Sequence, residues 1–230
     1  EAEAVSDKPS SCPVFDFTEM ARITAKEISI LRKKPLLTLI QELGIMPKKV
    51  LDLGGGSGAL IIAVAESYKK CEGILFEQKD VASIAQRFIA DSPAKNRIVI
   101  MEGNFLLDGI GDDYDLIIAS GIFPFALEMI EPFVKKISDA LQEDGLLLVY
   151  DTAFAAKKDK ARYAARWLKG NLRRKNQQLR RSAPRDENFR MNKALSKEML
   201  ISALNSVSLK EIMKDSDGLY PFIVFRKVYS

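Results

Sequence analysis

The chain has 230 residues, 47% of them hydrophobic, with 35 Lys or Arg against 31 Asp or Glu and no His. That length accommodates one domain with a sizeable core, and no apolar run approaches the roughly 18 residues that suggest a membrane span. The lack of His excludes Ser-His-Asp triads, imidazole bases and most zinc sites, and Cys12 and Cys71 have no metal spacing. No metal is therefore expected, and two plain thiols fit a reducing, cytoplasmic setting.

Residues 1–14 have neither the cationic start nor the apolar stretch of a signal peptide, and are expected to be a disordered tail or a cloning remnant. Residues 15–48 read as a helical cap, with helices over 18–33 and 34–44, the second stopped by Gly44 and Pro47. A strand is expected at 49–53, a helix from 58 to about 69, a strand at 73–77 and a helix at about 80–91 that ends at Ser92-Pro93. Strands three and four follow at 97–103 and 115–120. Leu127, Ile130, Val134, Ile137 and Leu141 recur at helical spacing, which predicts a helix over 125–141; Gly145 then turns the chain into strand five at 146–151. A basic helical insertion is expected at 154–193, then a helix at 196–206 and strands near 207–213 and at 221–228. Short apolar strands separated by helices predict a Rossmann-like α/β fold. Its seven-stranded sheet would be mainly parallel with an antiparallel last strand and helices on both faces.

The most informative stretch is VLDLGGGSGAL, residues 50–60. A strand ends in Asp52, and Gly54, Gly55, Gly56 and Gly58 let the chain turn sharply into a helix with backbone amides facing a ligand. A phosphate loop needs G-x-x-x-x-G-K-[ST], and no Lys-Ser/Thr follows here. A dinucleotide fingerprint is met only with Ala59 in its third glycine position. Asp52 decides between the remaining readings. A carboxylate there suits a cationic ligand, and S-adenosylmethionine (SAM) carries an ammonium and a sulfonium but no phosphate. Glu77, at the end of strand two, suits the two hydroxyls of a ribose, whether of SAM or of NAD; Gln78 stands next to it.

This loop, with FEQ at 76–78, EGNF at 102–105 and YDLIIASGIF at 114–123, resembles class I SAM-dependent methyltransferases. More narrowly, it resembles the catalytic domain of small-molecule O-methyltransferases that carry an N-terminal winged-helix dimerisation domain. Phe17–Met20, the fifth-strand segment DALQEDGLLLVYD and the closing IVFRKV extend the resemblance over about residues 15–230. The resemblance implies that Asp52, Gly54 and Gly56 approach the methionine moiety and that Glu77 holds the ribose hydroxyls. Asn104 stands where the family usually has Asp near the adenine amine, and Phe105 beside it would flank the adenine. Ser120 is a further cofactor contact. Met20 and Phe123 are candidates for the acceptor wall.

Two departures matter. No winged-helix domain lies in this sequence, which leaves a stand-alone catalytic domain or a part of a longer protein. Pro124 stands at about the place where plant-type members have the His that deprotonates the acceptor. Methyl transfer itself survives this loss, because alignment of acceptor and sulfonium in a dry site supplies much of the rate. Replacement bases are Glu128 and Asp151, the second at the carboxyl end of strand five where ligands of such sheets bind. An acceptor that is already nucleophilic at O, S, N or C needs little help from a base. The missing His also admits a catalytically silent SAM-binding module.

Residues 157–185 hold twelve Lys or Arg and one acidic residue, leaving 23 basic and 30 acidic residues for the rest. Arg162, Arg166, Lys169 and Arg173 oppose a stripe of Ala161, Ala165, Leu168 and Leu172, with Trp167 beside it. Such a helix serves as a solvated face, as a lid placing Arg162 and Trp167 against a small anionic substrate, as an anionic-membrane contact, or as a tracker of an RNA backbone. A small-molecule acceptor is favoured over RNA, because the base-amine tetrad Asn/Asp-Pro-Pro-aromatic is replaced by Ser-Gly-Ile-Phe at strand four.

Overall fold

A computed structural model describes residues 17–150, 196–215 and 221–229. Its strands are β1 (Lys49–Leu53), β2 (Glu72–Glu77), β3 (Ile98–Glu102), β4 (Tyr114–Ser120), β5 (Leu141–Tyr150), β6 (Leu209–Asp215) and β7 (Phe222–Lys227). They form one sheet in the order β3-β2-β1-β4-β5-β7-β6. β1 to β5 run parallel, and β7 is antiparallel to both its neighbours. The last strand is thus antiparallel as expected, but it is inserted between β5 and β6 and leaves β6 at the edge.

The helices are α1 (Phe17–Leu31), α2 (Lys33–Glu42), α3 (Ala59–Ser67), α4 (Lys79–Ala90), α5 (Ile130–Ala140) and α6 (Lys197–Asn205). Strand alternation assigns the two faces. Leu116 and Ile118 of β4 join Leu36, Leu39, Ile61 and Val64 beneath α2 and α3. Ile117 and Ala119 face the other way, into a cluster with Phe123, Phe133, Ile137 and Leu204 beneath α5 and α6. Each fully buried Leu, Ile or Phe contributes about 1.5–3 kcal/mol of transfer free energy, so these two layers dominate the fold.

Two boundaries differ from the sequence reading for local reasons. The helix expected over 125–141 is a 3-10 helix at Phe123–Met129 followed by α5. Pro132 has no N–H for the carbonyl of Glu128, so an α-helical ladder cannot run back through that point. β5 starts at Leu141, which pairs with Tyr114 before the register jumps to Leu116 opposite Leu146. The four residues between are accommodated by Asp144 at φ 59 and by Gly145, where a Cβ would meet the Tyr114 carbonyl at 2.9 Å.

α1 and α2 are almost one helix. Arg32 N donates to Ile28 O and Leu36 N donates to Arg32 O, continuing the ladder on either side. Pro35 cannot donate to the Leu31 carbonyl, and its ring crowds that oxygen, so the axis breaks at Arg32. α1 then lies against the glycine loop that follows β1 and the segment that follows β4. A Cβ on Gly56 would lie 3.8 Å from that of Ala21, and Phe17 meets Phe125 edge-on at 5.5 Å.

Candidate active site

The site lies where β1, β2 and β4 end and the glycine loop begins. Gly54, Gly56 and Gly58 all have positive φ, which L side chains rarely adopt. Gly55 is needed for space: a Cβ there would collide with the Asp52 carboxyl and meet Leu75 Cδ1 at 2.5 Å. The loop therefore wraps tightly over Asp52.

Asp52 is fully buried beneath this loop, and its Oδ2 accepts from Ile61 N at 3.2 Å. Gly58, the N-cap of α3, has no side chain to offer, so Asp52 supplies the capping acceptor from the strand. Asp52 thus supports the loop from below through Oδ2. Burial pushes its carboxyl up to about 7; the Ile61 bond opposes this, and nearby Glu77 adds to it. Among the described residues its buried Oδ1 has no partner, and neither has Ser57 Oγ within the loop.

Glu77 is buried at the end of β2. Its Oε2 accepts from Gly56 N at 2.9 Å and its Oε1 from Gln78 N at 2.8 Å. One carboxylate thus ties the loop to β2 with both oxygens fixed in direction. Burial raises its pKa, partly offset by these two backbone bonds. A carboxylate oxygen accepts more than one hydrogen bond, so two hydroxyls can still be met. Gln78 contributes its backbone amide; its side chain is exposed.

After β3 the chain closes a compact loop. Asn104 N donates to Asp108 Oδ2 at 2.8 Å, and Asn104 Oδ1 accepts from Leu106 N at 2.9 Å. The oxygen expected to meet an adenine amine is therefore already engaged in shaping its own loop. Phe105 is buried, with its ring 5.7 Å from that of Phe133 and its Cε1 3.6 Å from a Cβ built on Gly54. Lys136, reaching from α5, was missed by sequence reasoning. Its Nζ donates to the carbonyls of Phe105 (3.1 Å), Leu106 (2.9 Å) and Asp108 (2.7 Å). No motif marks it, since its partners are backbone atoms some 30 residues earlier.

The acceptor side is less uniform. Ser120 is half-buried and accepts from Arg32 Nη1 at 2.8 Å, an interaction across 88 residues. Phe123 is fully buried and packs edge-on against Phe133 at 5.7 Å, so it belongs to the core and not to an open wall. Glu128 is exposed on the 3-10 helix, and Met20 lies on α1. Asp151, Arg162, Trp167 and the rest of the basic segment lie outside the described residues. Among the described residues no group of three or more His, Cys, Asp or Glu is placed to hold a metal, and no helix is long and apolar enough to cross a membrane.

This sheet order, with a tight glycine loop after β1 and a buried acid ending β2, defines the class I SAM-dependent methyltransferase fold. The chain belongs to the O-methyltransferase domain family, which matches it over residues 15–173. SAM is the cofactor of that family. Demethylspheroidene O-methyltransferase of Rhodobacter capsulatus is 33% identical over 116 residues, covering 50% of this chain and 28% of that protein. A putative O-methyltransferase of Nostoc punctiforme superposes with a TM-score of 0.71 at 20% identity, over 95% of this chain and 64% of that one. Human N-acetylserotonin methyltransferase, solved in complex with SAM, gives 0.64 at 18% identity, over 93% and 56%. The chain thus spans less than two thirds of these relatives, and at such identities the structures speak for the fold.

Proposed function

We propose that this chain binds SAM on the glycine loop and transfers its methyl group to a small acceptor that arrives already nucleophilic. The observation that carries the reading is the Glu77 carboxylate, buried and fixed by the amides of Gly56 and Gln78 at the mouth of the loop. Glu77 would hold the ribose hydroxyls, and Gly54 and Gly56 let backbone come within contact of the methionine end. The 104–108 loop would meet the adenine. The orphaned Asp52 Oδ1 and Ser57 Oγ beneath and within the loop suit a ligand with donor groups, such as an ammonium. When bound, SAM supplies an electrophilic methyl group on a sulfonium.

The residues of the chain then have two tasks, to align the acceptor with that methyl and to exclude water. α1, drawn over the loop by Ala21 and Phe17, serves the second. With no His in the sequence, removing an acceptor proton falls to another side chain or is not required. An ionised hydroxyl or carboxylic acid, a thiolate or an amine meets the second condition. The same absence favours one alternative, a chain that binds SAM without turnover.

Calorimetry with S-adenosylhomocysteine, followed by assays on hydroxyl, thiol, amine and carboxylate pools, tests this reading. Glu77→Gln is expected to weaken binding about tenfold to a hundredfold, the scale of a charged hydrogen bond lost in a buried site. Unchanged affinity in that variant would remove Glu77 from the site. Tight binding with no methylation of any pool would establish the silent module instead.

A further inference from the structure

We infer that the glycine loop exchanges a proton for its ligand: Asp52 carries the proton before binding and gives it up to solvent when a ligand ammonium arrives. The inference rests on the proposed cofactor site and adds to it a coupling between binding and pH.

The two acids of the site lie on one face of the sheet. Asp52 of β1 is in register with Leu75 of β2, and Glu77 follows two residues along the same strand. Residues two apart on a strand share a face, so both carboxyls project to the side that holds Leu75 and α3. The loop joins them. Gly56 N donates to Glu77 Oε2, and a Cβ on Gly55 would collide with the Asp52 carboxyl.

Both acids are buried, Asp52 at 0% exposure and Glu77 at 6%. Among the described residues neither has a cationic partner: Ile61 N serves Asp52, and the amides of Gly56 and Gln78 serve Glu77. On the elements around them Ile118 of β4 is in register with Asp52, while Lys79 and Asp80 of α4 and Arg22 and Lys26 of α1 are exposed. Arg32 is bound to Ser120 at the exit of β4. Two carboxylates so placed lose hydration and repel each other, so below neutrality one of them holds a proton. Asp52 is the deeper and has one backbone donor where Glu77 has two, so the proton falls to Asp52. Oδ2 is occupied in accepting from Ile61 N, which leaves Oδ1 to carry it. The carboxyl is accordingly pushed up to about 7, by burial first and by Glu77 in addition.

A second observation points to a ligand. Ser57 Oγ, in the loop between Gly56 and Gly58, is buried and has no partner among the described residues, and it does not satisfy Asp52 Oδ1 either. Buried polar atoms are nearly always partnered, so two orphans around one loop mark where donors from a ligand complete it. An ammonium brings three such donors and one positive charge. Its charge favours the ionised form of Asp52, and the Oδ1 proton leaves. One cation enters and one proton departs, so the buried charge balances.

The test counts protons. Calorimetry of wild type at about pH 6, repeated in two buffers of different ionisation heat, compares S-adenosylhomocysteine with 5′-methylthioadenosine, a nucleoside thioether without the amino-acid end. S-adenosylhomocysteine is expected to release about one proton, and 5′-methylthioadenosine close to none. The affinity for S-adenosylhomocysteine should rise about tenfold from pH 5 to 6 and level off above about 7, while that for 5′-methylthioadenosine stays flat. Asp52→Asn, whose amide oxygen can still accept from Ile61 N, should abolish the release and flatten the profile. Binding of S-adenosylhomocysteine without proton release, equal release by both nucleosides, or full release in folded Asp52→Asn overturns the inference. Thermal melts identify a variant that has not folded, and the two nucleosides on wild type then decide alone. Failure of wild type to bind either nucleoside would instead refute the cofactor site itself.

Discussion

The exits of β1 and β2 and the exit of β4 are built by different means. At the first pair the site is mostly backbone: a loop of glycines, amide groups held by Glu77, and a helix N-terminus capped by Asp52. At the exit of β4 side chains from distant segments meet, with Arg32 reaching Ser120 across 88 residues. Backbone geometry demands particular residues at fixed spacing, so the proposed donor end of the site follows one pattern. Side-chain geometry can be met in many ways, so the proposed acceptor end is free to differ.

The strongest way to break the donor end is Gly55→Ala. The new Cβ would run into the Asp52 carboxyl and Leu75, both buried, with no open space to take it. Overpacking of this kind costs about 3 kcal/mol. A drop in thermal stability together with at least about a hundredfold loss of S-adenosylhomocysteine affinity is expected. Tolerance of the alanine would mean that the loop is looser than its packing implies.

Asp52 gives the next largest effect, and its sign is set by burial. Its carboxyl titrates near 7 in the folded chain, against 3.8 ordinarily. Between these values the folded state holds a proton that the unfolded state has lost, so stability falls as pH rises from about 4 to 7. One group contributes at most about 1.4 kcal/mol per pH unit over that window. Asp52→Asn should flatten this part of the profile in urea melts of the ligand-free protein. Equal slopes for the two proteins would show that Asp52 is ionised in the fold.

A smaller effect is expected at Lys136. Its ammonium binds three carbonyls of the 104–108 loop, and partial burial lowers its pKa despite Asp108 nearby. Lys136→Met should cost about 1–2 kcal/mol of stability and weaken S-adenosylhomocysteine about fivefold, with Lys136→Arg intermediate. If binding is unchanged while stability falls, the loop does not position the nucleoside.

These contrasts explain what could be read in the chain itself. The strand and helix order was legible because alternating apolar strands and amphipathic helices follow fixed periods. Gly54, Gly56 and Gly58 were legible because positive φ calls for glycine, and each has it. Glu77 was legible as the acid that ends β2 beside that loop, where it accepts from Gly56 N and Gln78 N. Asp52 was legible as a residue of the loop, but its bond to Ile61 N was not, since spacing cannot tell that a carboxylate reaches beneath a turn. The 3-10 helix at Phe123–Met129 was hidden by its own helical apolar spacing, which Pro132 overrides. Lys136 and Arg32 carried no signal, because each acts on atoms far away in sequence.

The smallest expected effect probes the acceptor end. Glu128 is exposed on the 3-10 helix that leaves β4. For an acceptor that arrives ionised, no group need take a proton. Glu128→Gln should then leave kcat within about twofold, with the acidic limb of the pH–rate profile set by the acceptor's own pKa. A loss of about a hundredfold or more, the scale of a true general base, would assign that role to Glu128. The contrast between the two ends would then change in kind. The proposed acceptor end would carry its own catalytic carboxylate.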